Sequence, residues 1–164
     1  MAHGVIRLDR MWATENHGGV VSFKYSPSNT DTAIDNGNVV LLGALSSTDR
    51  EVFIAGTPAA ASPIDGVVLV TSVETFKDGL KHDLADFENK AGAIARGHRF
   101  HSGDIFSLTA DCFAGTPAVD NIVELAAGTK LSAASSATSG STVVGKIIEK
   151  DTADGRDFFV VLVD

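Results

Sequence analysis

At 164 residues, 44% of them hydrophobic and 21% charged, the chain has the size and apolar mass of one folded domain or two small lobes. Thirteen basic against twenty-one acidic residues give a formal charge of −8, a potential that repels phosphate backbones and anionic lipid surfaces. No apolar run reaches the roughly 18 to 20 residues that cross a bilayer, and the single cysteine, Cys112, leaves no partner for an intrachain disulfide. The expected partners therefore include neither nucleic acid nor membrane.

The chain opens on MAHGVIRLDR, polar and charged where an export signal would place its apolar stretch, so the protein is expected to stay where it is made. Residues 1–25 read as a possible N-terminal attachment arm, in which Met11 and Trp12 are the largest apolar side chains of a polar stretch. Residues 26–164 read as a single β-rich domain. Short runs of Val, Ile, Leu and Phe bounded by Gly, Asp, Asn and Pro predict strands at Val20–Tyr25, Val39–Leu45, Glu51–Ala55, Val67–Val73, Asp104–Ala110, Ile122–Ala126, Thr142–Lys150 and Phe158–Val163. Asn36-Gly37, Asp65-Gly66 and Asp154-Gly155 supply turns, the last joining the two final strands as a hairpin. Those two strands are apolar on both faces in their middles, which predicts a central or inter-sheet position.

One segment departs from the strand pattern. Leu84, Phe87, Ala91 and Ile94 recur at spacings of three and four, predicting a helix over Asp83–Ala95 with Asp83 as N-cap and Gly97 in the C-cap region. Two loops, Gly56–Ile64 with its two prolines and the small-residue tract Ser132–Ser141, are expected to be mobile or to contact a partner. The string AGTPA occurs twice, at Ala55–Ala59 and Ala114–Ala118. The fold class expected is mainly β, an antiparallel sandwich or barrel-like sheets with one short helix near residues 83–96.

The chemistry-bearing residues do not assemble into a recognisable site. His98, His101 and Asp104 offer imidazole and carboxylate donors, but a chain turning between elements need not make them converge, so no metal is expected there. Asp151, Asp154 and Asp157 lack the ligand spacing of a calcium loop. Cys112 has no neighbouring His or basic residue to generate a thiolate. No nucleophile elbow, P-loop or dinucleotide fingerprint is present. No catalytic residue and no cofactor is expected.

Three stretches carry a resemblance. Phe87-Glu88-Asn89-Lys90-Ala91-Gly92 leads through Ala95-Arg96-Gly97-His98-Arg99-Phe100 into Gly103-Asp104-Ile105-Phe106-Ser107-Leu108-Thr109. Asn38-Val39-Val40-Leu41-Leu42-Gly43-Ala44-Leu45 is followed by Arg50-Glu51-Val52-Phe53, and Gly145-Lys146-Ile147-Ile148-Glu149-Lys150 comes late. In this order they resemble the small capsid decoration, or cement, proteins of tailed bacteriophages. The resemblance implies a virion protein on the outside of the head, assembled in the host cytoplasm, often a homotrimer, that reinforces contacts of the major capsid protein. Met11 and Trp12 would then be capsid-binding anchors, the alternative being that Trp12 packs into the protein's own core. Two other classes stay open: a β-barrel that binds a small molecule, signalled by a polar-lined interior pocket, and a hydrolase whose residues, such as Asp111, Cys112 and a histidine, meet only in three dimensions.

Overall fold

The computed structural model describes residues 3–6, 19–76 and 82–164. Among them the fold is all strand and short 3-10 turns, arranged as a closed five-stranded barrel beside a curled six-stranded sheet. The barrel is built from β1 (Val20–Tyr25), β2 (Val39–Leu45), β3 (Val52–Gly56), β4 (Val67–Val70) and β5 (Ala95–Arg99), in the order β1-β3-β2-β4-β5. β1 runs parallel to β3 and closes the barrel antiparallel to β5. The second sheet holds β6 (Ile105–Thr109), β7 (Phe113–Ala114), β8 (Ile122–Leu125), β9 (Leu131–Ala134), β10 (Val143–Ala153) and β11 (Arg156–Val163), in the order β6-β11-β10-β8-β9-β7.

The period-2 alternation of strand side chains decides where each core lies. Inside the barrel, Phe23, Tyr25, Val40, Ala55, Val68, Val70 and Ala95 form one buried cluster. Their neighbours Val39, Val67 and Leu69 point the other way and join Phe106, Leu108, Leu125, Leu131, Ile147 and Val161 of the second sheet in a larger one. β4 is consequently buried at all four positions. Each such Val or Leu contributes roughly 1.5 to 3 kcal/mol by leaving water.

The two β units are also tied by backbone. Val39 N–H donates to the Thr129 carbonyl (2.7 Å). The Gly56–Ile64 loop, expected to be mobile or partner-bound, is held by the second sheet: Thr142 donates its N–H to the Ala60 carbonyl and its hydroxyl to the Ser62 carbonyl, both at 2.8 Å. The Ser132–Ser141 tract begins as strand β9 and is pinned at Thr138, which donates N–H (2.8 Å) and O–H (2.5 Å) to the buried Glu124 carboxylate. The two AGTPA strings follow unlike strands, β3 inside the barrel and the two-residue β7 at a sheet edge.

One expectation needs correction. The helix over Asp83–Ala95 does not form. Only Leu84–Asp86 makes a 3-10 turn, Phe87 is extended, Asn89 pairs with Ile34, Gly92 takes φ +75° and Ala95 begins β5. Leu84 and Ile94, assigned to the buried helical face, are 40% and 54% exposed. At both described ends of residues 1–25 the chain is part of the folded unit. Val20–Tyr25 is a barrel strand, and Val5 and Ile6 are 2% and 1% exposed, with Ile6 bridged to Leu108 along the outer edge of β6. That segment covers an edge that would otherwise present unpaired backbone groups. The two last strands, β10 and β11, are internal to their sheet as expected; β10 buries Val144, Gly145 and Ile147, while Val143 and Ile148, beside register shifts at Val143/Gly145 and Ile147/Glu149, are 39% and 42% exposed. The hairpin turn at Asp154-Gly155 forms as expected, with φ of +53° and +74°.

β5 fits the barrel because its inward positions are small. A Cβ on Gly97 would lie 2.7 Å from Val68 Cγ2 and 3.2 Å from Phe23 Cε1. Gly97→Ala is therefore expected to cost about 1 to 3 kcal/mol in urea unfolding through overpacking. Combined with Val68→Ala it should lose less than the sum of the single variants, by at least about 0.5 kcal/mol; strict additivity would mean that the two positions do not share space.

Candidate functional site

The segments Ser72–Phe76 and His82–Ile94 border an open cleft of about 810 Å³ beside the barrel. Its described lining is mixed: Phe76, Phe87 and Ile94 are apolar, while His82, Asp86 and Lys90 carry polar or charged heads. The Phe76 ring stacks on His82 with centroids 4.2 Å apart and meets Phe87 edge-on at 5.9 Å. The 3-10 turn at the rim is capped reciprocally, Ala85 N–H donating to Asp83 and Asp83 N–H to Asp86, both at 2.9 Å. Asp83 also pairs with Arg156 at the tip of the β10-β11 hairpin, which links the rim to the second sheet. The hydrogen bond from Arg156 holds the Asp83 carboxyl below the usual carboxylate range.

Asn36 organises the ground beneath the cleft. Its Nδ2 donates to the Ser72 carbonyl (2.8 Å) and Glu74 Oε1 (2.9 Å), and its Oδ1 accepts from Ser72 N–H (3.0 Å) and Asn89 Nδ2 (3.2 Å). A side chain only 2% exposed thus has its amide donors and acceptor satisfied. Ile34 and Asn89 exchange both backbone hydrogen bonds, at 2.9 and 3.0 Å. In an antiparallel pair the next residues along, Asp35 and Glu88, face one another on the opposite side. His3 arrives at the same place and its Nδ1 lies 3.0 Å from Asp35 Oδ1. His3, Asp35 and Glu88 can each bring one donor atom within 4.8 Å of the others, and they are the one such group of His, Cys, Asp and Glu among the described residues.

The sequence candidates are placed apart. His98 is buried and shares a 2.5 Å hydrogen bond with Thr71 Oγ1, whereas His101, 32% exposed, lies 3.6 Å from Asp104 Oδ2. The two imidazoles serve different local partners and do not form a ligand set with Asp104. Asp157 pairs with Lys150 across the terminal hairpin (2.7 Å) and accepts from the Thr152 hydroxyl (3.0 Å), and Asp151 accepts from Thr152 N–H (2.8 Å), so these two carboxylates serve the hairpin itself. Cys112 is wholly buried, its Sγ near the Val5 carbonyl and Thr109 Oγ1 at 3.8 Å each, and burial pushes the thiol up to about 12. Asp111 beside it is exposed. Met11 and Trp12 lie outside the described residues.

The sequence reading passed over His3, Asp35, Glu88 and the buried Glu124. Asn36-Gly37 was the available signal: a turn that becomes buried brings its flanking polar residues into tertiary contacts. Glu124 offered no local sign, since its partner Thr138 lies beyond the next strand.

Two outcomes follow from these environments. Cys112 should resist alkylation by iodoacetamide at pH 8 in the native protein and react once urea unfolds it, because the thiol is both inaccessible and held in its neutral form; labelling in the native state at the unfolded rate would contradict the burial. The lowered pKa of Asp83 makes its contribution to stability complete above its ordinary value of 3.8 and lost as pH falls through the lowered value. Arg156→Ala should therefore make stability fall less steeply between about pH 4 and 2 in urea titrations. No protein-family model, curated protein or solved structure matches this chain.

Proposed function

We propose that the chain is a structural protein of a tailed-bacteriophage head, binding the outer surface of the capsid and reinforcing contacts between major capsid subunits. The observation that carries this reading is the filled interior. Phe23, Tyr25, Val40, Val68 and Val70 occupy the barrel lumen, where a small-molecule-binding barrel would keep a polar-lined cavity. With the lumen packed, the outer surface is left to do the work. The one thiol, Cys112, is wholly buried and out of reach of a substrate, which weighs against the hydrolase alternative that would use it. The resemblance of Phe87–Thr109, Asn38–Phe53 and Gly145–Lys150 to capsid decoration proteins names the surface's partner, and the negative charge suits the exterior of a virion.

Repeated capsid sites reward a binder with several copies of its contact surface, since each further contact is made at high effective concentration. The protein is therefore expected to be a homotrimer, with Met11 and Trp12 as its capsid anchors, assembled in the host cytoplasm. Light scattering after size exclusion should give three chains per particle, and the protein should co-sediment with expanded heads of the major capsid protein from its own genome. Trp12→Ala should weaken co-sedimentation at least tenfold without lowering the melting temperature. A monomer that stays in the supernatant would overturn the reading; a variant that melts lower yet binds heads normally would place Trp12 in the core instead of the interface.

A further inference from the structure

We propose that His3, Asp35 and Glu88 form a divalent-cation site, of the type that takes Zn²⁺, which locks the N-terminal segment onto the barrel. The three donors come from positions separated by 32 and 53 residues, so their meeting is made by the fold and not by a local turn. Asp35 and Glu88 are brought side by side by the Ile34 and Asn89 pair, and like charges directly opposite on paired strands repel. One imidazole contributes at most a single positive charge against two carboxylates. A divalent ion balances both.

The spacing suits coordination. Two ligands each about 2.0 to 2.1 Å from a tetrahedral zinc lie roughly 3.3 Å apart, and His3 Nδ1 and Asp35 Oδ1 already stand at 3.0 Å. The cation would replace the proton between them. Glu88 is exposed, so its side chain is free to rotate the short distance that closes the set, and water can fill the fourth position.

Each ligand also sits on backbone held from elsewhere. His3 is two residues before Val5, whose N–H donates to Thr109 Oγ1 and whose carbonyl accepts from Thr109 N–H, both at 3.1 Å. Asp35 lies between Ile34 and Asn36, and Glu88 adjoins Asn89, all three fixed by the network described above. Such support from outside the ligand shell is what distinguishes a preorganised site from a chance meeting of side chains. An imidazole with two carboxylates suits zinc or another first-row ion better than calcium, which takes only oxygen ligands.

The test titrates the EDTA-stripped full chain with ZnCl₂ in a calorimeter and follows the melting temperature. One Zn²⁺ per chain should bind and raise the melting temperature. Glu88→Gln and Asp35→Asn should each weaken binding at least tenfold, while His101→Ala leaves it unchanged. Glu88→Gln is the deciding variant, because an exposed side chain can be changed without unfolding the protein. Absence of Zn²⁺ binding, or binding undiminished by Glu88→Gln, would overturn the proposal.

Discussion

A single wall of backbone, strands β2 and β4, serves two cores at once. Val40, Val68 and Val70 fill the barrel while Val39, Val67 and Leu69 reach into the second sheet. A strand buried on both faces cannot slip by one residue, because the slip would exchange two complementary apolar sets that meet different neighbours. The register Val39 to Leu69 and Val40 to Val68 is thereby determined from both sides. The barrel and the curled sheet are mutually dependent parts of one fold: separating them would expose half of β4 to water.

The N-terminal segment completes that dependence. Cys112 sits against two positions where a side chain would not fit. A Cβ on Gly4 would stand 2.8 Å from its sulfur, and one on Gly37 would stand 2.5 Å away. Gly37 also takes φ +79°, which L side chains resist, so turn geometry and packing both require glycine there. Gly4, Gly37 and Cys112 belong respectively to the first segment, the turn before β2 and the link between β6 and β7. Their close approach is where three remote parts of the chain become one structure.

What could be read from residues alone followed the range of the forces involved. β1 and β2 were legible at their observed bounds, because alternation and flanking turn residues are local signals. β5 was not: its inward residues are Ala95 and Gly97, small because Phe23 and Val68 fill the space opposite, and its remaining residues are Arg and His, which carry no apolar alternation. β9 was hidden for a similar reason, as Leu131-Ser132-Ala133-Ala134 opens a tract too poor in apolar mass to suggest a strand. Helical spacing misled at Leu84, Phe87, Ala91 and Ile94, where pairing of Asn89 with Ile34 and the positive φ of Gly92 outweigh periodicity. The cluster of His3, Asp35 and Glu88 escaped altogether. Apart from the Asn36-Gly37 turn beside Asp35 nothing local marks them, and only the long-range pairing of Ile34 with Asn89 brings them together.

The path of the first segment has a consequence for how the protein is made. Val5 leaves the ribosome early, yet its hydrogen-bonding partner Thr109 follows 104 residues later. At translation rates of about 5 to 20 residues per second, roughly 5 to 20 s pass before the two can meet. During that interval the barrel strands β1 to β5 have already been synthesised, whereas the sheet edge that Ile6 covers does not yet exist. The segment thus finds its place only after the five barrel strands and β6 have been made, and its docking reports that the second sheet has begun to form.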